Sequence, residues 1–237
     1  MTAGSVLILC GGRGRRLGPR SNDMPKVLAP VNGRPILSHV VEQFAGQGFR
    51  TFVLATGHLS EKVEDFVRSE LGGYAVTVSN AGVDASMLRR IHAAGPLLDR
   101  QVIVGYGDTY IELDYRRLLA EHEVSGFPMT LVTGKIRNPF GVVTVDGGGR
   151  VTAFVEKPVY DYYIGSFAFR RDLLESIGED LLERPDGEGL VALFQRLGSQ
   201  GKLRAFPHEG LQLTFNTEEQ LDAASTLLKE YFTMREK

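Results

Sequence analysis

From Ser5 to about Thr133, short apolar runs alternate with segments of helical period, a pattern that predicts parallel strands at the centre of a sheet with helices on both faces. Strands are expected at Ser5–Cys10, Thr51–Ala55, Ala75–Ser79, Gln101–Tyr106 and Met129–Thr133. Nearly all are rich in Val, Ile and Leu without alternation, as strands buried on both faces must be. Between the first two, Ile36, Leu37, Val40, Val41 and Phe44 recur at helical spacing behind Pro35, a residue suited to a first helical position. Val63, Phe66 and Val67 repeat that spacing after Ser60, which reads as an N-cap. Beyond Phe140 the texture changes. Phe140–Val145, the turn Asp146-Gly147-Gly148-Gly149 and Arg150–Glu156 read as a hairpin, followed by a strand at Tyr162–Phe169. Helices are expected at Asp172–Ile177, Gly189–Leu197 and Thr217–Tyr231, with a short strand near Leu203–Phe206. With no repeat, linker or low-complexity tract, 1–237 reads as one α/β domain, three layers around a mostly parallel mixed sheet. About 1–135 forms one half and about 136–237 the other.

Composition narrows the function. The 27 Lys plus Arg against 29 Asp plus Glu give a formal charge of -2, with no excess of positive charge to hold a nucleic-acid backbone or an anionic membrane. No apolar stretch approaches the roughly 18 residues of a membrane span, and no basic segment precedes the first apolar run as in a signal peptide. The single Cys10 cannot form an internal disulfide, so a reducing, cytoplasmic address is expected.

The candidate chemistry begins directly after the first strand, with Gly11-Gly12-Arg13-Gly14-Arg15-Arg16-Leu17-Gly18. A glycine loop at the carboxyl end of the first strand is where backbone N–H groups can close around phosphates. The dinucleotide fingerprint fails, because Leu17 stands where its third glycine belongs; the Walker loop fails because no Gly-Lys-Ser/Thr follows. What remains is a basic loop, Arg13, Arg15, Arg16 and Arg20, followed by Pro25-Lys26, suited to a polyphosphate. At the end of the fourth predicted strand stands Asp108, where one carboxylate can hold Mg²⁺ that completes its shell with water and substrate phosphates. Asp108 could instead cap the next helix, but Asp114 before Tyr115 already fits that role.

Leu9-Cys10-Gly11-Gly12-x-Gly14-x-Arg16-Leu17-Gly18-Pro19 and Pro25-Lys26-x-Leu28-x-Pro30-Val31-x-Gly33-x-Pro35-Ile36-Leu37 closely resemble the signature of the sugar-1-phosphate nucleotidyltransferases, the NDP-sugar pyrophosphorylases. The resemblance implies a Rossmann-like α/β/α fold of the nucleotide-diphospho-sugar transferase type. It implies that a sugar 1-phosphate attacks the α-phosphorus of a nucleoside triphosphate, with Mg²⁺. Arg16 and Lys26 would bind the triphosphate and stabilise the transferring phosphoryl group, and Asp108 would hold the metal. Nucleotide contacts are implied for Leu9, Gly11, Gly12, Gly14, Arg15 and Ser86, although the family usually has Thr where Arg15 stands. Phe154-x-Glu156-Lys157-Pro158, the strand carrying Gly165 and the Phe140-Gly141-Val142-Val143 segment resemble the sugar-phosphate wall, which assigns Gly141, Glu156, Lys157 and Gly165 to it. Read alone, Glu156-Lys157 is a solvated surface pair.

Two segments depart from the family pattern. Its second metal carboxylate is missing: Thr214 or Asn216 stands there, and an Asn carbonyl can ligate Mg²⁺ without bringing charge. The segment Asn80–Arg89 lacks the glycine turn that precedes the helix in many relatives, and Asp84 reads as that helix's cap. Asp161-Tyr162-Tyr163 reads as half-buried strand aromatics or as a platform for a ring. The five His show no ligand spacing. The pattern lies between glucose-1-phosphate cytidylyltransferases, which share Tyr106-Gly107-Asp108, and heptose-1-phosphate guanylyltransferases, which share the compact length; the C-terminal β-helix domain of some relatives is not expected. A catalytically weak regulatory homologue and an enzyme for a non-sugar phosphate stay open, as does the assembly, a homo-oligomer included.

Overall fold

The structure, a computed structural model, describes residues 4–14, 17 and 22–235. In chain order come β1 (Gly4–Leu9), the ribbon β2 (Pro30–Val31) and β3 (Arg34–Pro35), α1 (Ile36–Gly46), β4 (Thr51–Thr56), α2 (Ser60–Glu70), β5 (Ala75–Asn80) and α3 (Met87–Ala93). Then follow β6 (Gln101–Tyr106), β7 (Thr109–Ile111), α4 (Tyr115–Ser125), β8 (Met129–Arg137), the arm β9 (Val142–Val145) and β10 (Val151–Val155), and β11 (Val159–Arg170). The chain closes with α5 (Glu179–Leu182), α6 (Glu188–Ser199), β12 (Leu203–Pro207), β13 (Gln212–Thr214) and α7 (Glu218–Arg235).

Seven strands form the central sheet in the order β12-β8-β11-β6-β1-β4-β5. β1 pairs in parallel with β4 and β6, β4 with β5 and β8 with β12, while β11 runs antiparallel between β6 and β8. β11 therefore draws both halves of the chain into one sheet. Along β1 the pleat sends Val6 and Ile8 to one face, packed with Phe44, Phe52 and Phe215, and Leu7 and Leu9 to the other, packed with Phe167, Phe169 and Leu193. Every one of these strand residues is buried, which is why the strand reads as an unbroken apolar run.

Several expectations need correction. Ser60 is the first helical residue of α2 rather than its cap; Leu59 precedes it in the left-handed region, and the Ser60 hydroxyl donates to Glu64. Asp172–Ile177 is a 3-10 turn over Arg171–Ser176. The expected strand Met129–Thr133 continues to Arg137, and its partners are β11 and β12, not strands of the first half. The ribbon β7–β13 was not legible in the alternation; its two strands are only three residues each. Asp114 does cap α4, accepting from the Arg117 N–H at 2.9 Å.

The chain leaves β1 toward β4 and β5 on one side and returns through β6 on the other, so strand order reverses between β1 and β6. In open α/β sheets the crevice outside the carboxyl ends of the strands at such a reversal is where ligands bind.

Candidate active site

The two segments flanking that reversal approach each other closely. Gly107, one residue past β6, donates its N–H to the Leu9 carbonyl at 3.0 Å. A Cβ on Gly107 would lie 2.8 Å from Val27 and 3.0 Å from the Cys10 sulfur, so only glycine fits between the two strand ends. The turn after β6 thereby delivers Asp108 opposite Lys26. Lys26 Nζ lies 2.5 Å from Asp108 Oδ2 and 3.4 Å from Asn216 Oδ1, and it stands over the Phe215 ring at 5.0 Å from its centroid. The other Asp108 oxygen accepts from the Thr109 hydroxyl at 3.2 Å, and the Thr109 oxygen in turn accepts from the Thr214 hydroxyl at 3.3 Å. Pairing of β13 with β7 brings in Thr214 and Asn216. Both residues that stand where a second carboxylate was expected thus reach the same corner.

A cleft of about 840 Å³ opens here. Of the residues singled out in the sequence, Leu9, Gly11, Gly12, Gly14, Lys26, Asp108, Gly165 and Asn216 line it. Gly165 falls in an interruption of the β11–β8 pairing and takes φ +90°, a conformation that favours glycine and turns this stretch of β11 toward the cleft. Arg15 and Arg16 lie outside the described residues. Ser86 does not line the cleft: it is buried, its hydroxyl caps α3 by accepting from the Arg89 N–H, and it donates to the Leu182 carbonyl at 3.2 Å. Asp84, expected as that cap, instead pairs with Arg13 of the glycine loop at 2.8 Å.

Gly141, Glu156 and Lys157 sit together at the base of the β9–β10 arm, away from the lining of the cleft. A Cβ on Gly141 would meet the Phe154 ring at 2.5 Å and Glu156 Oε2 at 3.1 Å. Glu156 and Lys157 are a loose, exposed pair at 3.7 Å, the form of the solvated surface pair. Tyr163 packs edge-on against Phe194 and lines the cleft, whereas Tyr162 is exposed and donates to Gln212 at 3.0 Å.

Arg90 and Asp186 also line the cleft and were not singled out in the sequence. Within α3, Arg90 looks like an ordinary polar helix residue; its burial becomes evident only once Gly11 and Gly57 pack around it. Burial lowers its basicity and the Arg13 charge adds to the effect, while Asp186 opposes it. Burial is also the main cause that pushes the Cys10 thiol upward, with the Asp108 charge second, so Cys10 stays a neutral thiol beneath the loop.

The family model described as Nucleotidyl transferase matches residues 5–209. The chain belongs to that family. A relative from Sulfolobus acidocaldarius named as a mannose-1-phosphate guanyltransferase is 34% identical over 219 residues, 87% of this chain and 58% of its own length. The glucose-1-phosphate cytidylyltransferase of Salmonella typhi is 26% identical over 241 residues, 90% of this chain and 91% of its own. Among solved structures, HddC from Yersinia pseudotuberculosis shares the fold, with a TM-score of 0.70 at 21% identity over 95% of this chain and 99% of that one. The sequence resemblance and the nucleotide-diphospho-sugar transferase fold class therefore both hold. The Sulfolobus and Salmonella relatives are named as sugar-1-phosphate guanylyl- and cytidylyltransferases, and the chain spans only about half the length of several of its curated relatives.

Nucleotidyltransferases of this family generally use a divalent metal, and the donor set at the corner fits one. Asp108 and Asn216 offer hard oxygen donors, and both already face one cation, the Lys26 ammonium. One carboxylate plus one amide oxygen leaves the rest of an octahedron to water and substrate phosphates. No helix of the described residues is long and apolar enough to cross a membrane.

Proposed function

We propose that the protein joins a nucleoside triphosphate to a sugar 1-phosphate by in-line displacement. An oxygen of the sugar phosphate forms a bond to the α-phosphorus, the bond from the α-phosphorus to the bridging oxygen of the β-phosphate breaks, and pyrophosphate leaves with that electron pair. No protein nucleophile is needed, because the attacking phosphate is already an anion. The protein's work is to position two polyanions and neutralise the charge between them. The convergence of Lys26, Asp108 and Asn216 at the strand reversal carries this reading, since it puts a cation and oxygen donors beside a glycine loop that can take phosphates.

In this reading Lys26, with Arg16, holds the triphosphate. Asp108 and Asn216 would hold Mg²⁺, which supplies Lewis-acid charge stabilisation when bound. The backbones of Gly11, Gly12 and Gly14 face the nucleotide and Gly165 faces the acceptor ring, with the cytoplasm as the expected site of action.

Pyrophosphate release tests the reading. GTP, CTP, UTP, dTTP and ATP are each incubated with a panel of hexose and heptose 1-phosphates and Mg²⁺. Metal-dependent release with one nucleotide and one sugar phosphate is expected and names both substrates. Tight nucleotide binding with no release from any pair would overturn transfer in favour of a regulatory homologue.

A further inference from the structure

The cleft has two chemically distinct ends. The Lys26–Asp108–Asn216 corner, with its cation and oxygen donors, suits phosphates and metal. At the other end Val83, Ala85 and Met87 provide apolar walls, and the Arg90 guanidinium lines the cleft beside Asp186, Asp84 and Arg13. A flat ring with a polar edge needs this combination of apolar walls and a few fixed polar groups. Arg90 is only 5% exposed, and among the described residues its Nε has no hydrogen-bond partner. The guanidinium is also held in place. A Cβ on Gly11 would lie 2.5 Å from its Nε, and one on Gly57 2.9 Å from Nε and 3.1 Å from Nη2. Asp186, whose Oδ1 accepts the Met87 N–H at 2.7 Å, stands 3.7 Å from Nη1, close enough to orient the side chain without saturating it. A buried cation left short of acceptors is costly unless a ligand completes its hydrogen bonds.

We propose that Arg90 reads a ring carbonyl of the nucleobase and sets this enzyme for the oxo-bearing bases, guanine, cytosine, uracil or thymine, against adenine, with Asp186 as its positioning residue. The proposal rests on the nucleotidyl-transfer reading above. Arginine is donor-only, and its fork matches the carbonyl edge of a base. Adenine has no ring carbonyl and presents an amino group where guanine has O6, so a guanidinium placed for that oxygen would face a donor there and lose that hydrogen bond. A site built to hydrogen-bond one group rejects the analogue that lacks it far more strongly than a hydrophobic slot rejects a change of size. Binding of the triphosphate itself at this end is disfavoured, because Asp186 and Asp84 face it alongside Arg90 and Arg13.

The test measures equilibrium binding of GDP, CDP, UDP and ADP to the wild type, Arg90→Met and Arg90→Lys, with melting curves to show that each variant is folded. Wild type should bind at least one oxo-bearing nucleotide about tenfold or more tighter than ADP. Arg90→Met should weaken that nucleotide by about 5- to 150-fold, the range one good base contact commands, and leave ADP within about threefold. Arg90→Lys should recover part of the loss, and in steady state the effect should fall on the nucleotide KM with kcat little changed. An equal loss for all four nucleotides would make Arg90 a phosphate or structural residue and overturn the proposal. So would wild type binding ADP as tightly as the best oxo-bearing nucleotide, a comparison that decides the matter even if the variants do not fold. Wild type that binds no nucleotide overturns nucleotidyl transfer itself, whereas a selectivity ratio unmoved by the substitutions overturns the role of Arg90 alone.

Discussion

Replacing Gly11 with Ala probes how closely the glycine loop lies on Arg90. The added methyl would sit 2.5 Å from Nε, 2.7 Å from Cδ and 2.9 Å from Cζ, all inside the 3.4 Å at which ordinary contact begins. Long side chains usually relieve such overlap by swinging into solvent, but Arg90 is buried and packs against Gly57, where a Cβ would lie 2.9 Å from its Nε. Either the guanidinium shifts by nearly 1 Å or the loop lifts from β4. Overpacking of this kind costs about 1–3 kcal/mol. For a chain of this size each kcal/mol lowers Tm by roughly 2–4 °C, so a fall of about 2–12 °C is expected. The neighbouring Gly12→Ala is the control, since its Cβ would point into open space with nothing within 4 Å. Thermal unfolding followed by circular dichroism reads both. The clash is pairwise, so Gly11→Ala should cost less in an Arg90→Ala background than in the wild type, by at least about 0.5 kcal/mol. Equal Tm changes for Gly11→Ala and Gly12→Ala, or an unchanged cost in the Arg90→Ala background, would refute the packing.

Lys26→Ala should lower turnover by about 10²–10³, as for other donors that stabilise developing charge, and near-full pyrophosphate release would remove Lys26 from the reaction. Asp114→Ala should destabilise by about 0.5–2 kcal/mol through loss of the α4 cap, read as a lower Tm; an unchanged Tm would refute the cap. Burial, aided by the Arg170 and Arg204 charges, holds His122 down at about 4, against an ordinary value of 6.5. The unfolded chain therefore takes up a proton there first as pH falls, and stability should decline by up to about 1.4 kcal/mol per pH unit between roughly pH 6.5 and 4, then level off. His122→Gln should lack that part of the slope, and parallel denaturant midpoints for wild type and variant across the window would contradict a buried neutral imidazole.

The legible parts of the chain were those where one local rule dominates. The strands β1, β4 and β6 are buried on both faces and announce themselves as apolar runs, and β6 ends where the run ends, at Tyr106. The glycine loop and Asp108 were legible because their place after those strands follows from the topology. The cap of α3 was misplaced because Asp84 and Ser86 are both good caps two residues apart, and the ion pair with Arg13 decides between them. Arg90 was invisible because its burial is non-local: Gly11 and Gly57 leave the space it fills, and nothing near it in sequence records that. Neither could spacing reveal that Asp186, 96 residues further on, would face it.

The corner around Asp108 is closed by a ribbon of six residues whose strands lie about a hundred positions apart in the chain. Contacts that span so much sequence carry a large loop-closure entropy and form slowly. The parallel strands β1, β4 and β5 are separated by far shorter stretches and can pair before β13 meets β7. In refolding, secondary structure should therefore return before catalytic competence, and the interval between the two would time the arrival of Thr214 and Asn216 beside the aspartate.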